Sequence, residues 1–178
     1  MRILSVIAVL GGCLLLMPSP SLAQLGPKNP QPPRPAPAPA PGGAGGALSK
    51  ITPEQTAAAL TAAGYRAQVA TTKDKAPTKY VTTKMHNGDF TVTVYFAQCD
   101  AQGCGSLQFT SWFNDKLPPD WVNAFNFQFR FGRAALDKDG DLRFSLDVGL
   151  WGGITLENLK EYARLFDALL DELTKFDP

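Results

Sequence analysis

Cys99 and Cys104 are the residues whose type and spacing most directly allow chemistry. Two thiols at this distance could form a structural disulfide, act as a redox pair or contribute to a metal site. The spacing is not C-x-x-C, and two cysteines with no nearby ligand pair do not fill the tetrahedron that zinc requires. A structural disulfide across a hairpin loop is the reading carried forward, with a redox-active pair as the alternative. Asp137-Lys138-Asp139-Gly140-Asp141 invites a calcium reading. An EF-hand loop counted from Asp137 would need glycine where Leu142 stands and a bidentate acid where Val148 stands, so the segment reads as a hairpin turn. His86, the sole histidine, sits beside Asn87-Gly88 with Asp89 across the turn, and no nucleophile is implied near it. Gly103 and Gly105 flank a cysteine, and Gly152-Gly153 lack the G-x-G-x-x-G spacing of a phosphate loop. The chain is therefore read as no enzyme, with no catalytic residues, no metal and no cofactor.

The aromatic residues exceed what a core of this size obviously needs. Trp112, Phe113, Trp121, Trp151 and the run Phe125 to Phe131 are read mostly as core. Those left over would form an exposed patch that docks a protein partner or mates two subunits as a homodimer. Among polar groups, Asn126, Arg130 and Arg133 are the candidate binding residues.

The elements that must position these residues begin after a long preamble. Arg2 followed by the apolar stretch Ile3 to Met17, broken by Pro18 and Pro20 and closed by Ser21-Leu22-Ala23, reads as a signal peptide cleaved near Ala23. Leu10-Gly11-Gly12-Cys13 offers a competing lipobox, with a lipid anchor at Cys13, although the apolar stretch continues past that cysteine. The stretch is too short to span a bilayer and no second one follows, so a membrane span is not expected. Periplasmic or secreted localisation follows from this reading. Of the 17 basic residues only Arg2 lies in residues 1–23, which leaves 16 against 16 acidic ones and no basic excess for nucleic acid. Residues 24–47, with eight prolines and then Gly42-Gly43-Ala44-Gly45-Gly46, read as a Pro/Gly-rich disordered linker.

From residue 48 to 178 the pattern is that of one globular domain. Thr52-Pro53-Glu54-Gln55 is a helix start with a capping box, and Gly64 the stop. Tyr65 to Ala70 is a candidate short strand. Asn87-Gly88 favours a type I′ hairpin turn, which sets Met85 opposite Phe90, Thr83 opposite Val92 and Val81 opposite Val94. A second hairpin with Cys99 opposite Cys104 sets Phe96 against Leu107 and Val94 against Phe109, keeping one face apolar. A third hairpin, Phe131 to Leu150, is read with an odd-length loop around Asp139-Gly140. It places Asp137 opposite Arg143 and Arg133 opposite Asp147. Leu156 to Phe176 reads as a helix capped by Thr155, with Leu156, Leu159, Tyr162, Ala163, Phe166, Leu169, Leu170 and Leu173 on its apolar face. The strict alternation Phe125 to Phe131 favours a strand by pattern alone, although Pro118-Pro119-Asp120 before it has the form of a helix start.

Several features occur in a telling order: Ser106-Leu107-Gln108-Phe109 after the two cysteines, Val122-Asn123, Asn126, Phe131-Gly132-Arg133-Ala134, Leu136-Asp137, the Asp139-Gly140 turn, and Asp147 leading to Gly152-Gly153 and the last helix. In that order they resemble the YbjN family, over residues 50–177. Its members are described as candidate regulators of bacterial sensory transduction with a fold similar to type III secretion chaperones. The chain departs from it in Phe125, where the family often shows Trp, and in the exported Pro-rich extension. The resemblance implies an α+β fold, an antiparallel sheet with helices in the order α-β-β-β-α-β-β-α, in which Pro119 to Gln128 is a helix. It supplies no catalytic residues. The function expected is a non-catalytic exported protein-binding module, chaperone- or adaptor-like, in envelope stress or signalling. The alternative is a periplasmic small-ligand or signal-sensing domain with a pocket between sheet and helices.

Overall fold

The structure is a computed structural model and describes residues 46–85 and 88–177. The signal peptide, most of the linker, Cys13, the His86–Asp89 pair and the type of the Asn87-Gly88 turn lie outside the described residues. The elements run α1 (Pro53–Ala62), β1 (Gln68–Thr71), β2 (Lys79–Met85), β3 (Phe90–Asp100), β4 (Gly103–Lys116), α2 (Pro119–Gln128), β5 (Arg133–Leu136), β6 (Asp141–Gly149) and α3 (Leu156–Lys175). The strands form one antiparallel sheet in the order β1-β2-β3-β4-β6-β5. The class is α+β, as expected. Four strands rather than three precede α2, because the candidate strand near Ala70 pairs along β2 as β1.

Helix ends form where their chemistry demands. Thr52 accepts from the Gln55 N–H while the Gln55 side chain accepts from the Thr52 N–H, which completes the capping box of α1. Gly64, at φ +99°, ends α1 in a left-handed turn in which the Tyr65 N–H reaches back to the Leu60 carbonyl. Thr155 and Asn158 cap α3 in the same reciprocal way.

The first two hairpins adopt the expected registers, with Met85 opposite Phe90, Val81 opposite Val94, Phe96 opposite Leu107 and Cys99 opposite Cys104. One face of the sheet therefore presents Val81, Met85, Val92, Val94, Leu107 and Phe109 to the core, all buried. The third hairpin keeps the expected parity but slides by two residues: Ala134 faces Phe144 and Arg133 faces Ser145. The cause is local. The Asp137 carboxylate accepts from the N–H groups of Asp139 and Asp141, and the Asp137 N–H donates to the Asp141 carbonyl. These bonds tighten the turn to three residues, with Gly140 at φ +81°. The expected Asp137–Arg143 and Arg133–Asp147 pairs are thereby lost.

Residues 119–128 form the helix that the family resemblance implies, against the alternation of their phenylalanines. Phe125 and Phe129 then share one side at helical spacing and stack at 4.6 Å between centroids, joined by Trp121, Phe144 and Phe176 in an aromatic core. Phe127 and Phe131 are left outside, 96% and 72% exposed. Along α3, Leu159, Ala163, Phe166, Leu169, Leu170 and Leu173 are buried as expected, whereas Leu156 on its first turn is exposed. Among the described residues no helix is long and apolar enough to cross a membrane.

Candidate functional site

Strand alternation that sends Val94, Phe96, Leu107 and Val148 into the core sends their neighbours to the opposite face. Two rows of side chains cross that face from β3 through β4 to β6. One is Tyr95–Gln108–Asp147, and the next is Ala97–Ser106–Gly149. The second row is small and forms a floor, while the first forms a wall. Gln108 donates to the Asp147 carboxylate at 2.6 Å and accepts from the Thr110 hydroxyl at 3.1 Å, so the wall is braced across the strands.

The opposite wall comes from the loop after β6. Gly152 and Gly153 both sit at positive φ, +83° and +87°, and turn the chain back. Ile154 then pairs with Leu48, and the Trp151 ring lies over Gly149. A Cβ on Gly149 would come within 2.7 Å of that ring, so this position admits only glycine while the indole stays in place. Tyr95 and Trp151, 42% and 74% exposed, thus flank a groove of about 490 Å³. Trp112 stands further along the same face, half exposed, with the Arg143 guanidinium 5.5 Å from its ring centre. Aromatic walls, a floor of small residues and one braced carboxylate suit capture of an extended segment by stacking and hydrogen bonding.

The disulfide forms at the tip of the β3–β4 hairpin, between directly opposed Cys99 and Cys104. Cys104 exchanges both backbone hydrogen bonds with Ile51, at 2.9 and 3.0 Å, and Lys50 pairs with Asp100. That hydrogen bond from Lys50 is the main reason the Asp100 carboxyl is held below its ordinary range. Gly103, at φ +132°, lets the Ile51 backbone approach; a Cβ there would sit 3.0 Å from the Ile51 carbonyl oxygen. The hairpin tip therefore fixes where the chain enters the domain. Among the described residues no three potential metal ligands come together.

The three candidate binding residues do not converge on the groove. Asn126 spends its side chain on β5: its amide donates to the Ala134 carbonyl and its oxygen accepts from the Ala134 N–H, both at 2.9 Å. Arg130 lies in the connection after α2 and Arg133 at the start of β5, both exposed. Tyr95 is not among the residues the sequence points to, and Gln108 and Asp147 enter there only through the family resemblance and the expected Arg133 pair, not as binding residues. The signal for Tyr95 was present, since the paired hairpin registers already turn it away from the core. Trp151 was singled out, without its placement.

No curated protein and no solved structure matches the chain, so the likeness to type III secretion chaperones rests on the family resemblance alone. A family model does match, over residues 52–175, from the N-cap of α1 to the last residue of α3. It is that of YbjN, described as "Putative bacterial sensory transduction regulator", and the chain belongs to this family.

Proposed function

We propose that the chain is a non-catalytic, exported binding module that takes up an extended segment of a protein partner on the uncovered face of its sheet, as an adaptor or chaperone-like regulator. Membership of a family of bacterial sensory transduction regulators supports a regulatory role. The observation that carries the reading is the groove between Tyr95 and Trp151, whose two aromatic walls stay exposed while Val94, Leu107 and Val148 on the other face of the same strands are buried. Such rings are costly to leave in water and supply most of the energy when a partner covers them. Export rests on the N-terminal pattern of Arg2, the apolar stretch and Ser21-Leu22-Ala23.

The test is a crosslinked capture from envelope extract with the full chain and with a Tyr95→Ser/Trp151→Ala variant. A protein retained by the wild type and lost with the variant supports the reading. Equal retention by both removes the groove from the interaction.

A second reading has its own observation. A cavity of about 440 Å³ opens between the sheet and the helices, where Phe90, Phe113, Leu117, Trp121 and Phe176 meet Asp115, Lys116 and Thr174. This is where a small-ligand sensor would hold a molecule with both apolar and polar groups. Native mass spectrometry that finds a retained small molecule, lost on filling the cavity with Leu117→Trp, would favour sensing over protein capture.

A further inference from the structure

Away from the groove, on the far side of the aromatic core, two phenylalanine rings stand in water under an unusual constraint. Phe127 projects from the outer side of α2 and is 96% exposed. Phe131 is the centre of a γ-turn, closed by a 2.9 Å hydrogen bond from the Gly132 N–H to the Arg130 carbonyl, with φ +71°. A γ-turn with positive φ is rare and strained, the more so for a bulky side chain. The turn is locked from below. Gly132 lies so close to Phe144 and Leu169 that a Cβ would come within 2.2 Å of the Phe144 ring, so the backbone after Phe131 is held against the core. Strain of this kind persists where the exposed position is useful.

Charge narrows what meets these rings. From Trp121 to Leu136 the chain carries Arg130 and Arg133 and no carboxylate. Both arginines are exposed and flank Phe131 in sequence. Self-association through this patch would set like charges against one another. A protruding pair of apolar rings bracketed by guanidinium groups instead complements a soft anionic surface, where rings enter the acyl boundary and guanidinium groups bind phosphates. We propose that the Phe127–Phe131 edge, with Arg130 and Arg133, is a peripheral docking site for anionic phospholipid membranes, independent of the sheet groove.

The test measures co-sedimentation of the full chain with vesicles of phosphatidylcholine containing phosphatidylglycerol, and with phosphatidylcholine alone. Two variants accompany it, Phe127→Ser/Phe131→Asn and Arg130→Gln/Arg133→Gln, both sharing the wild-type N-terminus so that its contribution cancels. Each ring is expected to contribute about tenfold in partitioning and each arginine about fivefold on the anionic vesicles only. Deuterium uptake in residues 126–133 should fall when anionic vesicles are added. Since neither substituted ring belongs to the core, both variants should keep the wild-type circular dichroism, and the melting temperature should not fall by more than a surface substitution allows, Phe131→Asn itself relieving the strain at positive φ. Equal vesicle binding by all three proteins, or no protection of residues 126–133, would overturn the assignment. Protection that appears without vesicles and grows with protein concentration would overturn it in favour of a contact between copies.

Discussion

Removal of the Asn126 side chain isolates a single device that ties α2 to the edge of the sheet. In an edge strand, one side of each backbone unit lacks a strand partner. At Ala134 of β5 both outward groups are taken by the Asn126 amide, which mimics a neighbouring strand with two 2.9 Å hydrogen bonds. Ala134 itself is 2% exposed, so water does not simply replace the lost partner. Two hydrogen bonds at a net ~1 kcal/mol each predict that Asn126→Ala destabilises the domain by about 2 kcal/mol. At about 4 °C per kcal/mol for a domain of this size, the melting temperature should fall by roughly 8 °C. Asn126→Asp should cost at least as much near neutral pH, because it keeps the shape but sets an acceptor against the Ala134 carbonyl. Urea unfolding gives the free energies, and native-state amide exchange gives the location. The Ala134 amide should lose protection in both variants, while Leu107 and Phe109 change only with the global stability. A loss below about 0.5 kcal/mol, the usual effect of an ordinary surface substitution, or an unchanged Ala134 amide, would refute the strand-mimic reading.

Three further predictions concern stability. Thr83 is buried on the core face, and its hydroxyl has no hydrogen-bond partner, so Thr83→Val should stabilise the domain by about 1 kcal/mol in urea unfolding; destabilisation would show that the hydroxyl is satisfied. Replacing both Cys99 and Cys104 by serine should cost about 2 kcal/mol, the chain-entropy value for so short a loop, and a cost near zero would show that the Ile51–Cys104 bridge holds the hairpin tip alone. The Tyr65 hydroxyl donates to Asp167 at 3.2 Å, and burial, then the Asp167 charge, pushes its pKa up to about 12. The folded state therefore holds this proton more tightly than the unfolded chain. The resulting stability is fully present below about pH 10, the ordinary tyrosine value, and is lost as pH rises toward 12. An ultraviolet titration should show a component near pH 12 that disappears in Tyr65→Phe; absence of such a component in the wild type would contradict the pairing.

What the sequence made legible was whatever a local rule decides. Thr52, Gln55 and Gly64 dictate both ends of α1 through groups within a few residues of one another. The first two hairpins were readable because their turns fix parity and their registers share β3, so each checks the other. The third was readable only to parity, since a loop of three residues and one of five leave the same residues facing the core. The Asp137 carboxylate chooses between them, and its bonds were not anticipated. Residues 125–131 misled by pattern because two of the four phenylalanines do not serve the core. A local rule is broken there without a packing gain, which is where surface function tends to show itself. The groove was illegible for a different reason. Its wall of Tyr95, Gln108 and Asp147 exists only once β4 pairs with β6, and that pairing links residues almost forty positions apart.

The central claim, that a protein segment occupies the groove between Tyr95 and Trp151, is tested most directly by a photo-crosslinking amino acid. It would be placed at Tyr95, at Trp151 and, as a control on the outer side of α3, at Arg164 of the full chain in producing cells. The reading predicts one discrete adduct of the same mass increment from Tyr95 and Trp151, none from Arg164, and loss of both when Asp147→Lys is introduced. Absence of adducts at the two groove positions, or an equal adduct at Arg164, would contradict it.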